Sequence, residues 1–177
     1  MTAPLLDINT WVGAWPFRQL RDASVTGLLK RMDKHGIERA VVGSLTGILY
    51  RNAHPANEEL SRQVRRHLDR FVPFALVNPL DPSWKTDLQR CADDLGFLGA
   101  RLVPQYHDYR LTDPAVLDVV EAIAERGWCI QVPQRIADRP SRPPWDQARD
   151  FAPAESEQAR ADHPKGGAAV RDTHRRA

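Results

Sequence analysis

An α/β fold of parallel strands joined by helices is what this sequence predicts, and three observations predict it. A short aliphatic run, a polar loop, an amphipathic stretch and a glycine recur in that order roughly every 30 residues. The aliphatic runs are unbroken rather than alternating, as strands buried on both faces require. Each run is followed by a stretch of helical periodicity, the crossover that parallel strands need. A closed parallel barrel and an open doubly wound sheet both satisfy this grammar.

Taken in order, Leu5, Leu6 and Ile8 form a short first strand. Val25, Leu28, Leu29 and Met32 then fall at i, i+3, i+4 and i+7, one face of a helix, which Gly36 ends with Ile37 as the apolar residue beyond the cap. Ala40, Val41 and Val42 form the second strand; His54-Pro55 opens the second helix, whose inner stripe is Leu60, Val64 and Leu68. The third strand runs from Phe71 to Val77, with Pro73 marking its start or a bulge. Asp81-Pro82 supplies the N-cap and first residue of the third helix, which buries Trp84, Leu88, Cys91, Ala92 and Leu95 and closes at Gly96-Phe97. Leu98 to Val103 is the fourth strand. Asp113-Pro114 starts a helix carrying Val116, Val120, Ile123 and Ala124, Gly127-Trp128 ends it, and Cys129 to Val132 is the fifth strand.

The grammar stops near Ala137. Residues 138–177 contain no Leu, Ile or Met, and Trp145, Phe151 and Val170 are their only large apolar side chains. Such a segment cannot offset the entropy of ordering its backbone, so a disordered, Arg-, Ala- and Pro-rich tail is predicted after a parallel unit spanning 1–137.

Composition excludes several functions. With 42% hydrophobic and 27% charged residues the chain is globular in character, and a net charge of +2 leaves no basic excess for nucleic acid. No run approaches the roughly 18 apolar residues of a membrane span, and Asp7 interrupts any leader at the start. Cys91 and Cys129 sit in apolar stretches without a CxxC partner and read as reduced core residues of a cytoplasmic protein.

In parallel α/β folds ligands meet the carboxyl ends of the strands, so chemistry is expected in the loops that follow them. The first loop offers Asn9, Trp11, Trp15 and Arg18; the second Ser44, Tyr50, Arg51, Asn52 and His54; the third Asn78. The fourth carries Gln105, Tyr106, His107, Tyr109 and Arg110, and the fifth Gln131 and Gln134. Convergent donors, histidines and stacking aromatics of this kind suit a small polar or aromatic acid.

Several segments together resemble the amidohydrolase-related family of (β/α)8 metal-dependent hydrolases and decarboxylases. They are Asp7-Ile8-Asn9-Thr10-Trp11-Val12-Gly13, the stretch from Met32 to Val42, Asn57-Glu58-Glu59-Leu60, Asp69-Arg70-Phe71-Val72-Pro73-Phe74, and Leu95-Gly96-Phe97-Leu98-Gly99-Ala100-Arg101-Leu102. The resemblance covers residues 5 to 136 and implies hydrolysis or decarboxylation of a small organic acid. It also implies a divalent metal held by His-x-His after the first strand, but Asn9 and Trp11 stand at those positions, and Val132-Pro133-Gln134 stands where a further histidine is expected. Asn is a weak carbonyl ligand and Trp only a donor, so no metal is expected unless a wholly different set such as His54 and His107 holds it, and no other cofactor is expected. In a metal-free version Asn9 and Gln131 orient the substrate, Arg110 or Arg101 pairs its carboxylate, and His107 is the acid/base candidate. Trp11, Arg18, Asn78 and Tyr106 complete the expected binding surface. The alternative is a non-catalytic small-molecule-binding or assembly module on the same scaffold.

A complete barrel of this type needs eight strands and about 250 residues, whereas about five strands are legible here. Either a frameshift produced the tail, or the fragment completes itself by association through its open strand edges. Three missing units are expected to expose the faces on which Val41, Ala100, Leu102 and Ile130 lie.

Overall fold

The chain largely alternates strands with helices, from the strand at Leu5–Val12 to the strand at Cys129–Val132. The structure, a computed structural model, describes residues 4–133, residue 157 and a strand at Val170–Asp172. In order these are β1 (Leu5–Val12), α1 (Val25–His35), β2 (Ile37–Ser44), a 3-10 turn (Thr46–Leu49), α2 (His54–Val64), β3 (Phe71–Pro73), β4 (Ala75–Leu76), α3 (Trp84–Asp93), β5 (Gly99–Arg101), α4 (Pro104–His107), α5 (Pro114–Glu125), β6 (Cys129–Val132) and β7 (Val170–Asp172).

Every strand pair is parallel, in the orders β1-β2-β3 and β4-β5-β6-β7. The strand predicted over Phe71–Val77 is interrupted at Phe74, and its two halves pair with different neighbours: Ala40 with Phe71 on one side, Leu76 with Arg101 on the other. Counting β3 and β4 as the two halves of one interrupted strand, each strand from β1 to β6 follows its predecessor in space as in sequence, with no reversal of order. That is the progression of a (β/α) barrel, not of a doubly wound sheet, whose order switches direction part-way.

Local sequence explains the helices. The Ser24 hydroxyl accepts the Gly27 N–H to cap α1, and Gly36, at φ 65°, takes the left-handed position that ends it. Asn52 accepts the His54 N–H at 2.9 Å ahead of α2, whose first turn holds Pro55. The Asp113 carboxylate accepts the Arg110 N–H at 2.8 Å, shaping the entry to α5. The main core lies between sheet and helices: Leu28, Met32, Leu60, Leu88, Val116 and Ile123 meet Ala40, Val42, Phe71, Ala100 and Ile130 from the strands.

Some expectations are corrected. Leu5, Leu6 and Ile8 are exposed, because β1 has no strand beyond it among the described residues. Cys129 is exposed at the start of β6, whereas Cys91 is buried as expected. The second helix ends at Val64 and leaves Leu68 exposed beyond it. Asp81 caps from further out than expected: its carboxylate accepts the Ser83 N–H at 2.8 Å and the helix starts at Trp84. Leu98 lies outside β5 and is exposed, and Val119 joins the buried stripe of α5 where Ala124 was expected. Val41, Ala100, Leu102 and Ile130 are all buried, Ala100, Leu102 and Ile130 in the core beneath the helices. The tail expected over 138–177 lies outside the described residues, apart from residue 157 and the strand that pairs with β6.

Candidate functional site

Alternation along the strands decides what faces the inside. Ala100 and Ile130 belong to the core under the helices, so their neighbours Arg101 and Gln131 point to the opposite, inner face of the sheet. Arg101 is 0% exposed. Its guanidinium donates Nη1–H to the Thr10 carbonyl at 2.7 Å, Nη2–H to the carbonyls of Val41 at 3.1 Å and Ile8 at 3.4 Å, and Nε–H to Gln131 Oε1. Gln131 in turn donates Nε2–H to the Ile8 carbonyl. One cation thereby ties β5 and β6 across the inner face to β1 and β2.

Two features make room for this arrangement. Gly43 lies against the guanidinium: a Cβ there would stand 2.7 Å from Nη1 and 3.0 Å from Cδ of Arg101. The indole of Trp11 covers the group, 4.1 Å from ring centre to guanidinium carbon, in cation–π geometry. Trp11 is itself steered by its Nε1–H, which donates to Asn9 Oδ1 at 3.2 Å. All acceptors around Arg101 are neutral, and among the described residues no carboxylate pairs with it. Burial pulls the guanidinium down to about 9, against an opposing effect of Asp7, which leaves it charged at neutral pH.

The mouth of this face is closed by loops. Trp15, Leu45, Ile48, Ala53, Leu76 and Val103 form a second buried cluster, with Trp11 and Tyr106 packed against it. Trp15 holds Tyr106 edge-on at 5.9 Å and Phe17 at 5.2 Å. On the helix side, a separate cavity of about 380 Å³ lies between the ends of β1 and β2 and helix α2, lined by Val12, Ser44, Tyr50, Asn52 and Glu59 among others. The Glu59 carboxyl there is held low by its hydrogen bonds to Arg62 and Gln63.

Of the residues singled out from sequence, Asn9, Trp11 and Gln131 converge on Arg101. Tyr106 belongs to the apolar cover. His107 is buried next to it, its ring nitrogens making no well-formed hydrogen bond among the described residues, and burial pushes it down to about 4 against the opposing pull of the backbone at Ile48, Gly47 and Tyr50. Its ring tilts 6.3 Å from that of Tyr109, whose buried hydroxyl likewise makes no well-formed hydrogen bond among the described residues. Asn78 fastens its own loop, donating to the Arg51 carbonyl at 2.9 Å and accepting the Leu80 N–H at 3.0 Å. Arg18 and Arg110 are exposed. His54 sits at the α2–α3 junction, 3.4 Å from Glu58 and 3.8 Å from Asp87. Gln134 lies outside the described residues. Of the two arginines offered by sequence, Arg101 is therefore the one on the inner face. The sequence signal for it is a lone charge in the middle of the apolar run from Leu98 to Val103. Thr10, whose hydroxyl donates to the Val41 carbonyl at 2.8 Å, and Gly43 were not foreseen. A small polar residue and a glycine inside strands carry no distinguishing pattern.

With this geometry in hand, similarity to known proteins is informative. The amidohydrolase family model matches residues 14–139. The chain belongs to the amidohydrolase family. Among curated relatives, a γ-resorcylate decarboxylase of Rhizobium radiobacter is 40% identical over 82 residues, covering 41% of this chain and 25% of the relative. A second from Polaromonas sp. is 31% identical over 103 residues, covering 52% of this chain and 32% of the relative. The chain thus spans about a quarter to a third of the length of these amidohydrolase-family relatives. Among solved structures, a 2,6-dihydroxybenzoate decarboxylase from Rhizobium superposes with a TM-score of 0.66 at 19% identity, covering 97% of this chain and 65% of that one. A dihydroxybenzoic acid decarboxylase from Polaromonas, solved with manganese and 2-nitroresorcinol, gives 0.66 at 16% identity, covering 97% of this chain and 64% of that one. At such identities the superpositions show the shared fold.

The family's divalent metal finds no suitable donors at the first strand of this amidohydrolase-family chain. The Asn9 carbonyl oxygen is already the acceptor of the Trp11 N–H, and the Trp11 ring rests on a guanidinium, a like charge to any metal cation. These residues do not fit a metal ion.

Proposed function

We propose that this chain holds a small aromatic carboxylic acid on the inner face of its sheet, as part of an amidohydrolase-type decarboxylase or hydrolase. The observation that carries the reading is the juxtaposition of the buried Arg101 cation with the Trp11 ring, a charge for a carboxylate beside a flat surface for an aromatic ring. The decarboxylases among its relatives and structural neighbours support that substrate class. In a decarboxylation the bond from ring carbon to carboxyl carbon breaks, carbon dioxide leaves, and the electron pair left on the ring takes up a proton. Asn9 and Gln131 orient the acid in this reading, and His107, neutral at pH 7, is the proton-transfer candidate. The full chain incubated with 2,6-dihydroxybenzoate should release resorcinol and carbon dioxide; neither turnover nor binding across a panel of hydroxybenzoates would overturn the proposal.

A second reading, an assembly or non-catalytic binding module, is favoured by one observation. Strand β1 has an unpaired edge among the described residues and exposes Leu5, Leu6 and Ile8 at 54%, 49% and 43%. Self-association of this cytoplasmic chain through that edge would complete the sheet, and light scattering across a dilution series tests it.

A further inference from the structure

We propose that Arg101 is a built-in cation that supplies the positive charge for substrate binding, so that this chain takes its aromatic carboxylate without any metal. The inference rests on the acid-binding reading above and adds to it the source of the charge. A guanidinium removed from water whose hydrogen bonds among the described residues go only to neutral carbonyl and amide oxygens has no carboxylate in contact, only the more distant influence of Asp7, and an arriving carboxylate provides a direct counter-charge. Arg carries five N–H donors. The carbonyls of Thr10, Val41 and Ile8 and the Gln131 amide engage all but one Nη1 hydrogen, so the group is held in place from the sheet while retaining a donor. Among the described residues its flat face is covered by Trp11, a half-buried indole whose Nε1–H donates to Asn9. A planar acid reaches the cation by displacing or stacking on that ring. A divalent ion bound next to the same guanidinium would meet like charge at close range in a low-dielectric interior, so the two arrangements are alternatives.

The test is calorimetric titration of the full chain, stripped with chelator, by 2,6-dihydroxybenzoate and by its neutral amide, 2,6-dihydroxybenzamide. The acid should bind equally well with and without chelator, and at least tenfold more tightly than the amide. Arg101→Gln should erase the preference for the acid, and Arg101→Lys should retain part of it. Should Arg101→Gln not fold, the comparison of acid with amide on the unaltered chain decides alone. Acid binding that requires added Mn²⁺, equal affinity for acid and amide, or an unchanged preference in folded Arg101→Gln would overturn the inference and leave the acid-binding reading standing. No acid binding with or without Mn²⁺ would overturn both.

Discussion

The side-chain amide of Asn57 makes two hydrogen bonds to the backbone of one residue, Leu76: it donates Nδ2–H to the carbonyl and accepts the N–H, each at 2.9 Å. This explains why the third strand is split. Phe74 donates its N–H to the Val42 carbonyl, the last ladder hydrogen bond to β2, while Val77 turns its N–H to the Arg101 carbonyl in β5. Two residues beyond Phe74, the backbone of Leu76 faces the β2 side again, where that ladder has ended. A side chain from α2 therefore takes the place of a strand, pinning helix to sheet directly beneath Arg101.

Replacing Asn57 with Leu should accordingly be severe. It strands a buried N–H and a buried carbonyl at roughly 1–3 kcal/mol each, so a loss of about 2–6 kcal/mol is expected in urea unfolding. A loss below about 1 kcal/mol would show that water or a backbone shift replaces the amide.

Gly43→Ala probes the space around the guanidinium. The added methyl would meet Arg101 Nη1, which is fixed by its own hydrogen bonds, so a destabilisation of about 1–3 kcal/mol is expected. Gly36→Ala is the control: nothing lies within 4 Å of that Cβ, and only its positive φ opposes the change, at about 1–2 kcal/mol. Unfolding midpoints rank the two, and the acid affinity should fall for Gly43→Ala alone.

His107 should make the fold sensitive to acid. Burial depresses it from 6.5 to about 4, so the unfolded chain binds the proton more readily between those values. Its contribution to stability is fully present above pH 6.5 and drains away as the pH falls toward 4, by about 3 kcal/mol in all. His107→Leu removes the titrating group and should flatten this acid limb. An unchanged pH dependence of the urea midpoint in that variant would refute the assignment.

At the β1 edge, Ile8→Lys should leave stability within about 1 kcal/mol, since the side chain is exposed, yet weaken any association between copies. Sedimentation of the two proteins at matched concentration checks this. Unchanged sedimentation of an associating chain would move the interface elsewhere.

The sequence by itself determined the parallel α/β alternation. Helical periodicity, the Gly36 cap and the Asp-Pro and His-Pro starts are local signals, each read within a few residues of chain, and they placed the helices to within a few positions. It also carried the family, through the order of its motifs, and the departure of Asn9 and Trp11 from imidazole. Tertiary structure decided the rest. Whether Arg101 or Arg110 lies inside depends on which strand face turns away from the helices. The break at Phe74 depends on where β2 ends relative to Asn57, 17 residues earlier in the chain. The exposure of Leu5, Leu6 and Ile8 depends on β1 having a neighbour on one side alone among the described residues. Arg101 draws its acceptors from Ile8, Thr10, Val41 and Gln131, contributed by β1, β2 and β6, and contacts across such sequence distances leave no periodic trace in any one segment.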